Sequence, residues 1–213
     1  MNALKKLAPV ALVVLVAACA SPSPAPVLLT LPPAAGAMVA AAAAASAPAL
    51  APATTTATAP APLLAVRRVS IPEYLIARRV RYRADPATLA EWPNTYWAER
   101  IEIGVSREFV SALRQQLPGW SLCETNCGDE VPALSLQVDL APMDYLRSAR
   151  KLQARARITL SDGGVPAKVL ATKEMGIEVA SGADTAQAHA QAITSLIQQA
   201  AAAVAPMVRN AKP

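Results

Sequence analysis

A single histidine and a single phenylalanine occur in the whole chain, and aromatic residues make up only 4% of it. These scarcities exclude a good deal of chemistry. Structural zinc asks for four ligands, and His189 is the one imidazole available. His189 also has no Ser, Cys or carboxylate at local spacing with which to build a nucleophilic site. No Gly-rich phosphate loop, Gly-x-Ser-x-Gly or His-Glu-x-x-His motif is present, so no enzyme is expected. On a helix of alanine and glutamine, His189 is expected to be a solvated or edge residue. No apolar run reaches the roughly 20 residues of a membrane span, because Pro22, Pro24 and Pro26 end the first one early. Strong positive charge is missing too. The formal net charge of +5 is mild, and its arginines are dispersed without interleaved aromatics, which argues against a nucleic-acid partner.

What is present begins with residues 1–18. Lys5 and Lys6 precede an apolar run of about ten residues, the pattern of a secretory signal. Its end, Val16-Ala17-Ala18-Cys19, resembles the lipobox of bacterial lipoproteins, in which the cysteine thiol accepts the acyl chain and becomes residue one. The small Ala17 and Ala18 leave the scissile bond accessible. Several acyl chains on Cys19, at ~0.8 kcal/mol per buried CH₂, make a stable anchor. No Asp follows Cys19 to resemble an inner-membrane retention signal. An outer-membrane anchor with a periplasm-facing domain is therefore expected, with this covalent lipid as the sole non-protein group.

Residues 19–62 read as a lipid-anchored linker rich in Ala, Pro and Thr, with neither charge nor aromatic residue from Pro32 to Pro62. Stiff chain of this kind rises up to ~3.1 Å per residue, so about thirty residues reach on the order of 90 Å. Two readings stand: a tether that holds a domain away from the membrane, or filler that touches nothing. Within it, Val27-Leu28-Leu29-Thr30-Leu31 is an apolar island with the composition of a strand.

Residues 63–213 are expected to form one α+β domain. Residues 63–71 predict a strand ended by Pro72, and Glu73-Tyr74-Leu75 a turn. Arg79-Val80-Arg81-Tyr82-Arg83 alternates in period two, as a strand with one wet face does. A short strand is predicted over 88–92. Asn94 and Thr95 are expected to cap a long helix whose apolar stripe is Trp97, Ile101, Val105, Phe109, Leu113 and Leu117, ending before Pro118-Gly119. A strand or loop over 120–123 follows, then alternating strands over 132–140, 152–160 and 169–179, with a hairpin turn at Ser161-Asp162-Gly163-Gly164. A second helix is predicted over about 185–208, buried along Ala186, Ala190, Ile193, Ile197, Ala200 and Val204. The order gives a mixed, largely antiparallel sheet with two long helices packed on one face. Trp92, Trp97 and Trp120 are expected to be core or platform residues rather than a ligand box. Cys123 and Cys127, left over once Cys19 is acylated, are expected to form a local disulfide in an oxidising compartment.

Val69-Ser70-Ile71-Pro72-Glu73-Tyr74-Leu75, the Arg-Val-Arg-Tyr-Arg strand, Trp97-Ala98-Glu99 and Ile103-Gly104 together resemble the PqiC-like, ABC-type transport auxiliary lipoproteins, from Val66 to the C-terminus. The resemblance implies an accessory of an MCE-type lipid transport system that works with an ABC-type inner-membrane transporter. Its partners would be an MCE-domain periplasmic protein and the outer membrane itself. A symmetric tubular partner would be matched by a homo-oligomeric ring. Tyr74, Leu75, Arg78 and Arg79 form the candidate interface, since aromatic residues and arginine are enriched at interface cores. The alternative places Tyr74 in the fold and leaves the arginines as a solvated strand face. A second functional class, a lipid carrier with its own apolar cavity, is separated from docking by the volume left open in the core.

Overall fold

The computed structural model describes residues 24–33, 61–124 and 127–211; the signal segment, Cys19 and most of the Ala/Pro/Thr tract lie outside them. Strand β6 (Leu134–Leu146) is the axis of the sheet. Leu134, Leu136, Val138 and Leu140 alternate on one face and are all buried, as period two requires. Along one side of β6 runs β7 (Lys151–Asp162), antiparallel over its whole length, and then β8 (Val169–Ala180), antiparallel to β7. The other side of β6 is shared. Its first residues pair in parallel with β2 (Leu63–Val66), beyond which lies β5 (Ser121–Glu124). Its last residue meets β3 (Arg79–Arg83), which carries β4 (Leu89–Trp97) and finally β1 (Val27–Leu29). The α+β class and the mixed sheet, with its longest ladders antiparallel, are as the sequence predicts.

Helices α1 (Ile101–Gln116) and α2 (Ala186–Asn210) pack together, and α2 lies over β7 and β8. Each predicted stripe residue from Ile101 to Leu117 and from Ala186 to Val204 is buried. Each large apolar side chain withdrawn from water in this way contributes about 1.5–3 kcal/mol. Thr185 caps α2, its hydroxyl accepting from the Ala188 N–H at 3.1 Å. The turn after β7 needs glycine for want of space: a Cβ on Gly163 would sit 1.7 Å from the Pro132 carbonyl oxygen.

Four expectations need correction. Asn94 and Thr95 do not cap α1, because β4 runs on to Trp97 and the helix starts at Ile101 after Arg100. Asn94 takes the left-handed conformation (φ 48°), which Asn tolerates, and Thr95 donates back to the Pro93 carbonyl. The strand over 63–71 is shorter than predicted, closing at Val66 with only a single bridge from Ser70 to Asp139 afterwards.

His189 is neither solvated nor at an edge. It is 3% exposed, stacked on Tyr145 at 4.3 Å and edge-on to Trp97 at 6.5 Å. Burial pushes its pKa down to about 3.

The fourth correction concerns the tract. Strand β1 pairs with β4, Leu29 and Leu31 are buried, and the Pro32 carbonyl accepts from the Thr194 hydroxyl at 2.9 Å. The domain's first strand thus comes from ahead of residue 63, from the apolar island within the region read as linker. The tract joins β1 to β2, two parts of one sheet, so its length does not set the distance from Cys19 to the domain.

Candidate docking surface

The segment after Ser70 is tied down by backbone bonds: the Leu75 N–H donates to Pro72 and that of Ile76 to Glu73, closing a 3₁₀ turn at Glu73–Leu75. Tyr74 is held from two sides. Its hydroxyl donates to Asp144 Oδ1 at 3.0 Å, and the Arg83 guanidinium lies 5.4 Å over its ring while donating to the same oxygen at 2.8 Å. Asp144 is 8% exposed, so this is a largely desolvated ion pair with its hydrogen bonds made. Partial burial, and then the neighbouring Asp144 carboxylate, raise the Tyr74 pKa above the phenol range; the hydrogen bond to Asp144 likewise raises that of Arg83. Arg81 closes the arrangement by donating to the Tyr74 carbonyl at 2.8 Å.

The four predicted interface residues therefore divide. Tyr74 anchors the turn and Leu75 packs against the core. Arg79 is exposed, 3.3 Å from Glu91 and 5.2 Å over the Tyr96 ring. Arg78 is exposed, and its side chain has no hydrogen-bond or ion-pair partner among the described residues.

Beside Arg78 opens a cleft of about 460 Å³. Ile76, Ala77 and Arg78 form one wall; Trp97, Ala98 and the first residues of α1 form the other. The two walls are joined by the Trp97 N–H, which donates to the Arg78 carbonyl at 2.7 Å. The cleft is amphipathic. Trp97 and Ile101 are its apolar back, Ile76 is an exposed apolar lip, and Arg78 and Arg100 are cations at the rim. Glu102, 5% exposed, is paired with Arg100 and lies in the first turn of α1, where the helix dipole favours a carboxylate. A single Arg107 nitrogen, Nη1, donates to both carboxylate oxygens of Glu99, each at 2.7 Å, which ties the residue ahead of the helix start to α1. An apolar back with a charged rim suits a protein segment better than a small polar substrate.

The sequence did not reveal the cleft, because Trp97 and Ile101 were read as consecutive rungs of one helix. The break between strand and helix that separates them is what opens the space. The Trp97-Ala98-Glu99 stretch, singled out by its resemblance, forms part of the wall. Trp92 and Trp97 are buried and Trp120 is partly buried against the core, in keeping with the core reading. Cys123 and Cys127 are brought together, their Cα atoms 5.3 Å apart, within the range a disulfide spans. No group of three or more His, Cys, Asp or Glu side chains suited to a metal occurs among the described residues. No described helix is long and apolar enough to cross a membrane.

The intermembrane transport lipoprotein PqiC of Escherichia coli (strain K12) is 29% identical to this chain over 76 residues, as is its counterpart from Shigella flexneri. The match covers 36% of this chain and 41% of the relative, so it spans less than half of the curated proteins it resembles. A crystal structure of an uncharacterised protein superimposes with a TM-score of 0.65 at 17% identity, covering 87% of this chain and 99% of that one. A protein from Xanthomonas campestris superimposes with a TM-score of 0.57 at 16% identity, covering 71% and 87%. At these identities the likeness concerns the fold alone. The family model of the ABC-type transport auxiliary lipoprotein component matches residues 37–205, which takes in both walls of the cleft, the full hairpin sheet and most of the closing helix. By that match the chain belongs to the ABC-type transport auxiliary lipoprotein family.

Proposed function

We propose that the protein is a lipid-anchored accessory of an MCE/ABC-type lipid transport system, held at the outer membrane through Cys19 and facing the periplasm. In this reading it acts as a docking and structural partner rather than as the carrier of the lipid. Family membership supports the transport-auxiliary role; the members of such a family assist a transporter and are not, in general, enzymes. The observation that carries the docking role is the contrast between surface and core. The amphipathic cleft between Ile76 and Glu102 is open and large, whereas the void among Leu75, Trp97, Met143 and His189 is about 10 Å³. That is room for about one water molecule, not an acyl chain. A carrier with its own apolar cavity finds no support in the packing there.

The partner in this reading is an MCE-domain periplasmic protein that inserts an apolar residue against Trp97 and Ile101 and meets the arginine rim with acidic groups. Co-purification of that protein with the anchored chain, compared with an Ile76→Asp, Arg78→Glu variant, tests it. The variant should keep its circular dichroism and its anchor yet lose the partner, because both substituted side chains are exposed. Partner retained by the variant would refute the cleft; no MCE-domain protein recovered with the unaltered chain would refute the transport role. Cys19→Ala should release the domain from the outer-membrane fraction, and its persistence there would refute the anchor.

A further inference from the structure

We infer that the β1–β4 edge of the domain, residues 24–28 together with Pro93 and Tyr96, lies against the surface of the bilayer that carries the Cys19 lipid. The inference rests on the lipid anchor proposed above. Five residue steps separate Cys19 from Pro24, the first described residue, and a fully extended chain covers at most ~3.6 Å per residue. Pro24 is therefore within about 18 Å of the lipidated residue. The tract at 34–60 adds nothing to this distance, since it follows β1.

The chain's entry is also clamped. Asn94, in its left-handed conformation, donates through Nδ2 to the Pro24 carbonyl at 2.6 Å and to the Ala25 carbonyl at 2.9 Å. Two residues later the ladder with β4 begins, at Val27 opposite Thr95. A short leash ending in a fixed point allows the domain few orientations, and all of them bring this edge close to the membrane.

The surface presented there has the chemistry of a bilayer contact. Residues 24–28 and Pro93 are exposed and carry no charge, and Val27 and Leu28 are 42% and 56% exposed. Leu28 is opposite Tyr96, and Tyr96 opposite Arg79, so a leucine, a tyrosine and an arginine form one row on the outer face of the sheet. Arg79 spreads its guanidinium over the tyrosine ring. Apolar tips with an amphipathic ring and a long-stemmed cation behind them match the change from acyl boundary to headgroup, where tyrosine and arginine are favoured. With only three residues, β1 is a poor template for pairing with another chain. A lipid surface fits this edge better than a second copy does.

The test uses the full acylated chain in vesicles of phosphatidylethanolamine and phosphatidylglycerol, doped with phosphatidylethanolamine bearing a diazirine near its headgroup. After irradiation, peptide mass spectrometry locates the lipid adducts. Adducts should concentrate on residues 24–28 and 93–96, at least ten-fold above those around fully exposed Val165, and Leu28→Asp should lower their yield several-fold. Acyl mass on Cys19 with adducts spread evenly, or confined to another face, overturns the contact and leaves the anchor intact. Cys19 without acyl mass overturns both. Protein–protein crosslinks joining two β1 edges, with no lipid adducts there, overturn it in favour of a second copy.

Discussion

Replacing His189 should remove an acid lability that sets in between pH 7.5 and 5. An exposed histidine titrates near 6.5, whereas burial between Tyr145, Trp97 and the sheet pushes His189 down to about 3. The unfolded chain thus takes up a proton at a pH where the folded chain refuses it. The stability this group provides is complete above about pH 6.5 and declines as the pH falls below that, at ~1.4 kcal/mol per unit, until the folded value is reached. The loss by pH 5 is about 2 kcal/mol, with a ceiling near 5 kcal/mol reached below pH 3. Because His189 is the only histidine and ordinary carboxylates titrate near pH 4, the window from 7.5 to 5 isolates it. Arg81 is the charged residue among those lining the small void beside His189. His189→Phe keeps a ring against Tyr145 and removes Nδ1, which has no hydrogen-bond partner. Urea unfolding of both proteins at pH 7.5, 6 and 5 measures the difference. The natural chain should lose about 2 kcal/mol across the series while the variant stays level to within about 0.5 kcal/mol. Equal slopes in the two proteins would refute the burial argument.

Gly163→Ala should destabilise by at least about 1–3 kcal/mol, the cost of overpacking, since its Cβ would meet the Pro132 carbonyl at 1.7 Å; an unchanged denaturation midpoint would show that the turn yields. Phe109→Ala, at a side chain 1% exposed beneath α1, should cost about 3–5 kcal/mol in the same assay, and a loss below ~1 kcal/mol would mean the helix face is misassigned. Non-reducing mass spectrometry should find the peptide containing Cys123 and Cys127 two hydrogens lighter than its reduced form; free thiols in periplasmic material would refute the bridge. Reducing that bridge should alter stability only slightly, because a separation of four residues closes a very small loop.

The sequence was most legible where one face of an element is buried and its period is clean. β6 and β7 announce themselves by alternation, and α2 by its stripe from Ala186 to Val204. The β4–α1 junction misled because Trp97 and Ile101 both face the core at a spacing of four, although one ends a strand and the other begins a helix. Period alone does not separate an inward strand residue from the first rung of a helix. His189 was hidden by its neighbours: Ala188 and Ala190 are buried too, and small residues let α2 approach closely over a wider arc than its large apolar side chains mark. The pairing of Val27–Leu29 was beyond local reasoning, since its partner strand lies far along the chain. Of the four candidate interface residues, Arg78 and Arg79 are exposed, while Tyr74 and Leu75 are half-buried and also make contacts within the fold. Nothing in the spacing disclosed that Asp144 would arrive from β6 to receive the Tyr74 hydroxyl.

The place of β1 ahead of the tract has a mechanical consequence. A pull on a lipidated Cys19 enters the domain through Val27–Leu29 and is resisted first by the Asn94 clamp and the parallel ladder to β4. Should the ladder shear, and with it the burial of Leu31 and the Thr194–Pro32 bond, the next point held in the sheet is Leu63 of β2, whose greatest possible distance from Cys19 rises to ~160 Å at ~3.6 Å per residue. Most of the sheet, β2 to β8, is still intact at that point. Under load the protein would behave as a fused tether, its point of attachment to the sheet moving from β1 to β2 once one three-residue strand fails.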